Sequence, residues 1–286
     1  MSTAHGRTGM GWGVLGVVIF SISLPMAKVA LGWFDPVVVA FGRVVIAAVL
    51  SAIALLATKS AWPTWRQMRL LVLAALGVTV GFPIFSSWSM QVVPAGHGAV
   101  VNGLLPLATA ALGAVVIGYR PRWPFWLAAV VGSMTAVAVV VWQSGSGLTF
   151  GDTAMLIAVL LAAVGYVYGG QLAAEIGGWR TICWANVLAA PILLVPVLTH
   201  MPSAPVPWVG WGALGYLGVF SMFLGFVAWY HGLATGGVQR VSQVQLIQPF
   251  LTILWAWPID GEQPTWWLFA AATVVMVCIW VARRLG

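Results

Sequence analysis

Charge is scarce in this sequence, so the few charged and amide side chains inside its apolar runs carry most of the chemical information. Arg43 falls about seven residues into an apolar run, roughly 10 Å along a helix. An ionisable group at that depth is a functional candidate by default. No Asp or Glu falls within the apolar runs to pair with it, so it must use backbone carbonyls, polar side chains or a bound anion. Two readings stand. Arg43 attracts a substrate carboxylate, or it is a structural arginine bonding helix carbonyls beside the break at Pro106. Lys28 sits about one turn from the end of the first run, after Pro25. Its long side chain either snorkels to the membrane surface or lines an internal cavity.

The second group of candidates is aromatic. Phe82, Phe85, Ser86 and Ser89 are spaced i, i+3, i+4 and i+7, and so share one helix face. Phe223, Phe226 and Tyr230 form a matching stripe. Such stripes line a cavity on which flat side chains stack, or they pack helices together. The serines beside the first stripe favour a cavity. Asn102, Gln245 and Gln248 lie within a turn or so of Pro106 and Pro249. They make interhelical hydrogen bonds or bind the amino or carboxylate group of a substrate. Tyr166, Tyr168 and Gln171 are lesser candidates of the same kind. His97 and His231 fall near span ends, as interface residues or as proton-sensing groups of a gate.

Several chemistries lack support. No H-E-x-x-H, G-x-S-x-G or G-x-x-x-x-G-K-[ST] occurs, so neither a metalloprotease, a serine hydrolase nor an ATP-driven pump is indicated. Cys183 and Cys278 both lie in apolar runs, which points to neither a disulfide nor a metal site. No metal, cofactor or nucleic acid is expected: the basic residues are scattered singly or in pairs, without a continuous basic face. The run from Met10 to Leu31 is long enough to span, unlike a cleavable signal peptide. An intramembrane carboxylate that could exchange a proton for a cation is missing, which argues for weak or no proton coupling and against a cationic substrate.

These residues must be positioned by membrane helices. The 286 residues are 62% hydrophobic and 6% charged, too apolar for one soluble core. Ten spans of about 20 residues each are predicted: 10–31, 36–57, 67–92, 95–117, 123–142, 152–172, 181–199, 208–233, 237–258 and 265–283. The 18 Trp residues suit anchors at both membrane surfaces. With the N-terminus cytoplasmic, Arg7, Lys59, Arg66, Arg69, Arg120, Arg122, Arg180, Arg240, Arg283 and Arg284 all face the cytoplasm. Asp35, Asp152, Asp260 and Glu262 fall on the other side. This asymmetry puts both termini inside.

The halves repeat. Asn102-Gly-Leu-Leu-Pro106, then Gly118-Tyr-Arg-Pro121-Arg-Trp123, recurs 143 residues later as Gln245-Leu-Ile-Gln248-Pro249, then Gly261-Glu-Gln-Pro264-Thr-Trp266. In the third and eighth spans the offset slips to 141: Gly77, Phe82 and Phe85 meet Gly218, Phe223 and Phe226. Residues 1–143 form one five-helix repeat, 144–152 a linker and 153–286 a second repeat. Five spans per repeat force the two into opposite orientations. The expected fold is therefore all-α: a polytopic membrane protein of two inverted five-helix repeats. Such repeats place a site near the bilayer midplane and rock about it, with Pro25, Pro106 and Pro249 as helix breaks.

Asp35-Pro36 with Arg43 and Ala47-Ala48, Pro94-Ala95 leading to Pro106, and Gly261-Glu262 resemble the EamA-like ten-helix group of the drug/metabolite transporter superfamily. Tyr119 departs from the acidic residue often found after the corresponding glycine. Among bacterial members the chain is similar to YddG-type exporters of aromatic amino acids. The resemblance implies helices 1–4 and 6–9 around a central cavity, with helices 5 and 10 peripheral. It also implies a multi-pass inner-membrane protein, not an enzyme, that exports small metabolites by alternating access, with lipid as its surroundings. Nucleoside or drug exchange, a non-transporting membrane subunit and a lipid-acting enzyme are the alternatives.

Overall fold

Proline and capping residues set the helix limits in the computed structural model, which describes residues 2–117, 149–236 and 241–285 and isolated helical positions between 123 and 138. Seven helices among the described residues are long and apolar enough to cross a membrane. They are α1 (Gly9–Leu31), α2 (Pro36–Ala57), α3 (Trp65–Val92), α4 (Ala95–Val116), α5 (Phe150–Ile176), α6 (Gly178–Thr199) and α7 (Trp208–Gly232). Two more follow: α8 (Gln248–Asp260), entered through a 3₁₀ stretch at Ser242–Ile247, and α9 (Trp266–Leu285). The expected fifth span, 123–142, lies largely outside the described residues.

Local chemistry explains the boundaries. Asp35 accepts from the Val37 amide and Pro36 opens α2, where its missing N–H costs nothing. Thr64 and Gln67 cap α3 reciprocally. Thr149 and Asp152 do the same for α5. That cap starts α5 at Phe150, inside the stretch 144–152 read as a linker. Gly261, at φ 80°, ends α8 in the left-handed region that glycine enters most easily.

Helix interruptions fall close to these prolines, each just before the ring. The ring of Pro25 crowds the preceding turn, and α1 is interrupted at Ile22. α4 is interrupted at Gly103 and Leu104, immediately before the turn that holds Pro106. Pro249 is not internal to a helix; it sits in the first turn of α8, and the 3₁₀ stretch occupies the preceding residues.

Two π-helical stretches, Ala75–Gly81 in α3 and Tyr216–Gly225 in α7, begin 141 residues apart, the offset found in the sequence. The packing recurs in the same way. α3 packs on α5, α7 packs on α1, and α2 and α6 pack on each other. Both crossings rest on glycine. A Cβ on Gly77 would lie 2.4 Å from the Gly165 amide nitrogen, and one on Gly232 would lie 2.7 Å from that of Gly13. Small residues let backbones touch where no water is displaced to drive association. Large apolar side chains such as Leu56 and Ile192 face outward, and Trp62, Trp65, Trp208 and Trp266 are exposed at helix ends. This distribution is that of a lipid-facing surface with aromatic anchors.

Candidate functional site

A small cavity forms in the interior of this bundle, beside the helix interruptions at Ile22 and Gly103–Leu104. Its wall takes Phe20, Ser23 and Leu24 from α1, Arg43 from α2, Val78 and Phe82 from α3, Asn102 and Leu105 from α4, Ala162 and Tyr166 from α5, Ser221, Met222 and Phe226 from α7, and Gln248 from α8. About 40 Å³ is open to the centre of a water-sized sphere. That holds a few waters and is far below the roughly 300–1,000 Å³ of a small-molecule pocket.

Arg43 reaches this wall in a buried position, 4% exposed. Its Nε has no hydrogen-bond partner, and no salt bridge reaches it among the described residues. The carbonyl contacts that would make it a structural arginine are therefore not seen. Under the 143-residue offset its counterpart is Asn186, which is fully buried and donates to Ser51 Oγ at 3.4 Å. The two halves thus treat one position differently: a tied amide in one, an untied cation in the other.

Amides and aromatics complete the wall. Asn102 Oδ1 and Gln248 Oε1 are buried and unpartnered, which leaves two acceptors beside one cation. Phe20 and Tyr166 each stand edge-on to Phe226, with centroids 4.9 Å and 6.4 Å apart. Gln245 is buried and lies off the wall.

The aromatic stripes divide. Phe82 and Phe226 line the cavity, one from each half; Phe85, Ser86, Ser89, Phe223 and Tyr230 do not. Phe85 stands edge-on to Trp88 at 5.2 Å. Ser86 donates to the Pro83 carbonyl, and Ser89 is buried without a partner. Phe223 packs into the core between α2, α6 and α7, and Tyr230 is buried beside Gly169. Tyr168 and Gln171 also lie away from the wall.

Sequence reasoning missed two hydroxyls. Ser23 Oγ donates to Ser221 Oγ at 2.8 Å, joining α1 to α7 across the cavity wall. Ser23 lies beside the Pro25 break and Ser221 within a π-helical stretch, an element that frequently marks functional positions. Those were the available signals.

Lys28 does not reach the cavity. Its Nζ donates to the Val93 carbonyl at 3.2 Å, in the turn between α3 and α4. It also lies within the fields of Asp260 and Glu262. Glu262 accepts from the Gly96 amide at 3.1 Å. Burial raises the pKa of both carboxyl groups, and backbone donors and Lys28 oppose that rise. One carboxylate placed at a helix end is nevertheless buried within the protein. Asp152 is 1% exposed, and His97, expected at an interface, is 3% exposed. His97 Nε2 lies 2.9 Å from Asp152 Oδ1. Asp152 is drawn inside because it caps α5 with its other oxygen, Oδ2, which accepts from the amide and hydroxyl of Thr149. His231, in contrast, is exposed and stands edge-on to Trp12.

Known proteins carry the same pattern. The EamA-like transporter family matches residues 7–142 and again residues 149–284. An "Uncharacterized transporter YdeK" of Bacillus subtilis (strain 168) is 38% identical, covering 97% of this chain and 98% of its own length. A "Probable terminal-alkyne amino-acid exporter" of Streptantibioticus cattleyicolor is 25% identical over 88% of this chain and 85% of its own. A crystal structure aligns over 98% of this chain and 99% of its own with a TM-score of 0.71, at 19% identity, which shows a shared fold. With both halves matched and a full-length relative, this chain belongs to the EamA-like transporter family and is a multi-pass membrane protein.

Proposed function

We propose that this protein is a secondary transporter that exports small amphipathic metabolites, with aromatic or apolar amino acids as the substrate class, by alternating access. The observation that carries this reading is Arg43: a buried guanidinium without a partner among the described residues, on the wall of a small, aromatic-lined cavity. Such a charge is costly unless something compensates it. A substrate carboxylate does so through a charge-assisted, bidentate contact. Phe82, Phe226 and Tyr166 then flank an apolar or aromatic side chain. Asn102 Oδ1 and Gln248 Oε1 accept from its ammonium group. A relative named a probable terminal-alkyne amino-acid exporter supports the class.

Because the cavity is too small for an amino acid, loading requires the wall to part. The interruptions at Ile22, at Gly103–Leu104 and before Pro249 supply bending points on α1, α4 and α8. Two inverted five-helix halves in the inner membrane, both termini cytoplasmic, then open the site to either side in turn. Among the described residues no carboxylate lines the cavity, so proton and substrate do not compete for one group there, and substrate moves down its own gradient.

Counterflow in proteoliposomes tests the substrate class. Vesicles preloaded with unlabelled phenylalanine should take up labelled phenylalanine transiently, and internal leucine or tyrosine should substitute for it. Phenethylamine, which lacks the carboxylate, should not. A nucleoside that drives exchange while every amino acid fails would replace the substrate assignment.

A further inference from the structure

The chain has five acidic side chains in 286 residues, and each is engaged away from the cavity. Asp35 caps α2, accepting from the Val37 amide at 2.8 Å. Asp152 caps α5 through Thr149. Glu175 pairs with Arg66 at 3.2 Å. Asp260 accepts from the Glu262 amide and Glu262 from the Gly96 amide, both at 3.1 Å. None of the five lines the cavity. The buried guanidinium of Arg43 therefore has no acidic side chain of this chain to neutralise it, and its Nε lacks a hydrogen-bond partner. Nor does the repeat demand a cation there, since Asn186 fills the equivalent position of the second half with a neutral amide. Donors nonetheless gather on the same wall. Asn102 and Gln248 each carry an NH2 group beside an unpartnered oxygen. Ser221 accepts from Ser23, and no acceptor for its own hydroxyl hydrogen is seen among the described residues.

We infer that, between substrates, this cavity binds a halide-sized inorganic anion such as chloride, with Arg43 as its counter-charge and Ser221, Asn102 and Gln248 as hydrogen-bond donors. Size favours a monatomic ion. About 40 Å³ is open to the centre of a water-sized sphere, room for a few waters. Chloride is little larger than water, whereas a lipid headgroup or an organic acid is far too large. Charge favours it as well. A buried charge is tolerated when it is paired, and water brings dipoles but no charge. Phe20, Leu24, Phe82 and Phe226 form much of the remaining wall, and apolar surroundings strengthen the attraction between ion and guanidinium. The two amides serve both occupants by turning in place: their NH2 groups meet an anion, and their oxygens meet the ammonium group of a substrate. Halide and substrate carboxylate then share one guanidinium and exclude each other. That exclusion rests on the transport reading; halide binding does not. With equal halide on both sides of the membrane the ion adds no driving force, so the direction of substrate flux is unchanged.

The test compares purified protein in halide-free sodium gluconate with the same protein as chloride replaces gluconate at constant ionic strength. Tm should rise saturably, by about 2–5 °C at a tenfold excess over Kd, and bromide should act alike. The chlorine NMR line of added chloride should broaden, and bromide should reverse the broadening. Arg43→Gln should lose both responses, with affinity down at least about tenfold. Arg43→Lys, which keeps the charge, should retain a weaker response. Ser221→Ala should weaken halide binding by about two- to tenfold. No response in the parent, or an equal response in Arg43→Gln, overturns the inference. If Arg43→Gln does not fold, an unchanged halide affinity in the Ser221→Ala, Asn102→Leu double variant overturns it instead. Phenylalanine should displace the halide; halide that stays bound while phenylalanine is transported would overturn the shared site. Halide binding without any phenylalanine flux would remove the substrate assignment and leave the anion site. Arg43-dependent phenylalanine flux without a halide response would do the reverse.

Discussion

Replacing Arg43 with alanine separates the two roles open to a buried arginine. If Arg43 were a structural anchor, its removal would orphan the groups it holds, a loss of about 3–5 kcal/mol and many degrees in Tm. The structure gives it no such groups: Nε is unpartnered and no acid reaches it among the described residues. Alanine therefore removes an uncompensated charge, and the expected change in stability is within roughly 0.5 kcal/mol or is a gain. Transport responds differently. A hydrogen bond to a charged group contributes roughly 1.5–3 kcal/mol, which at about 1.36 kcal/mol per tenfold lowers Vmax/KM for phenylalanine by about ten- to 150-fold. Arg43→Lys keeps the charge without the planar fork and should fall between. The assay is initial-rate uptake into proteoliposomes, with Tm measured on the same preparations. An Arg43→Ala protein that melts many degrees lower would refute the reasoning. So would one that is stable and transports normally.

Other perturbations reach different parts of the account. The Ser23–Ser221 bond should appear in a double-mutant cycle to alanine as a coupling of about 0.5–1.5 kcal/mol; additive losses would mean the hydroxyls act apart. Gly77→Ala drives a methyl into the backbone of α5 and should cost at least about 1–3 kcal/mol, read as low yield or low Tm, whereas alanine at Gly212, which meets open space, should be silent. Asp260 and Glu262 have folded-state pKa values raised by burial above 3.8 and 4.5. The folded state then binds more protons than the unfolded one, so their contribution is greatest below that range and is lost as pH rises through the raised values. Tm of the parent should fall over that interval, and Asp260→Asn with Glu262→Gln should flatten the slope.

Much of the fold was legible because lipid imposes long apolar runs and punishes stray charge. Span limits at Pro36, Trp208 and Trp266 follow directly from capping, proline and aromatic-anchor chemistry. The site was legible by face but not by level. Phe82 and Phe85 share a helix face, yet three residues of rise put Phe85 about 4.5 Å further along α3, beyond the end of a small cavity. Four residues of rise, about 6 Å, likewise remove Tyr230 from the level of Phe226. The partners of Lys28 and Asp152 were not legible for one reason: sequence gives depth along a helix, not what stands opposite. Lys28 meets a carbonyl at the α3–α4 turn, and Asp152 is carried inward by its own cap and meets His97. The Ser23–Ser221 contact spans 198 residues, and no periodicity reports such a pairing.

Net phenylalanine flux from purified protein in liposomes, with and without an imposed pH gradient, tests the central claim most directly. The account predicts saturable flux that is lost in Arg43→Ala and that stops at equal concentrations on the two sides. A pH gradient should not drive accumulation. Folded protein that moves no phenylalanine would contradict the assignment, and accumulation above equilibrium would contradict the uncoupled mechanism.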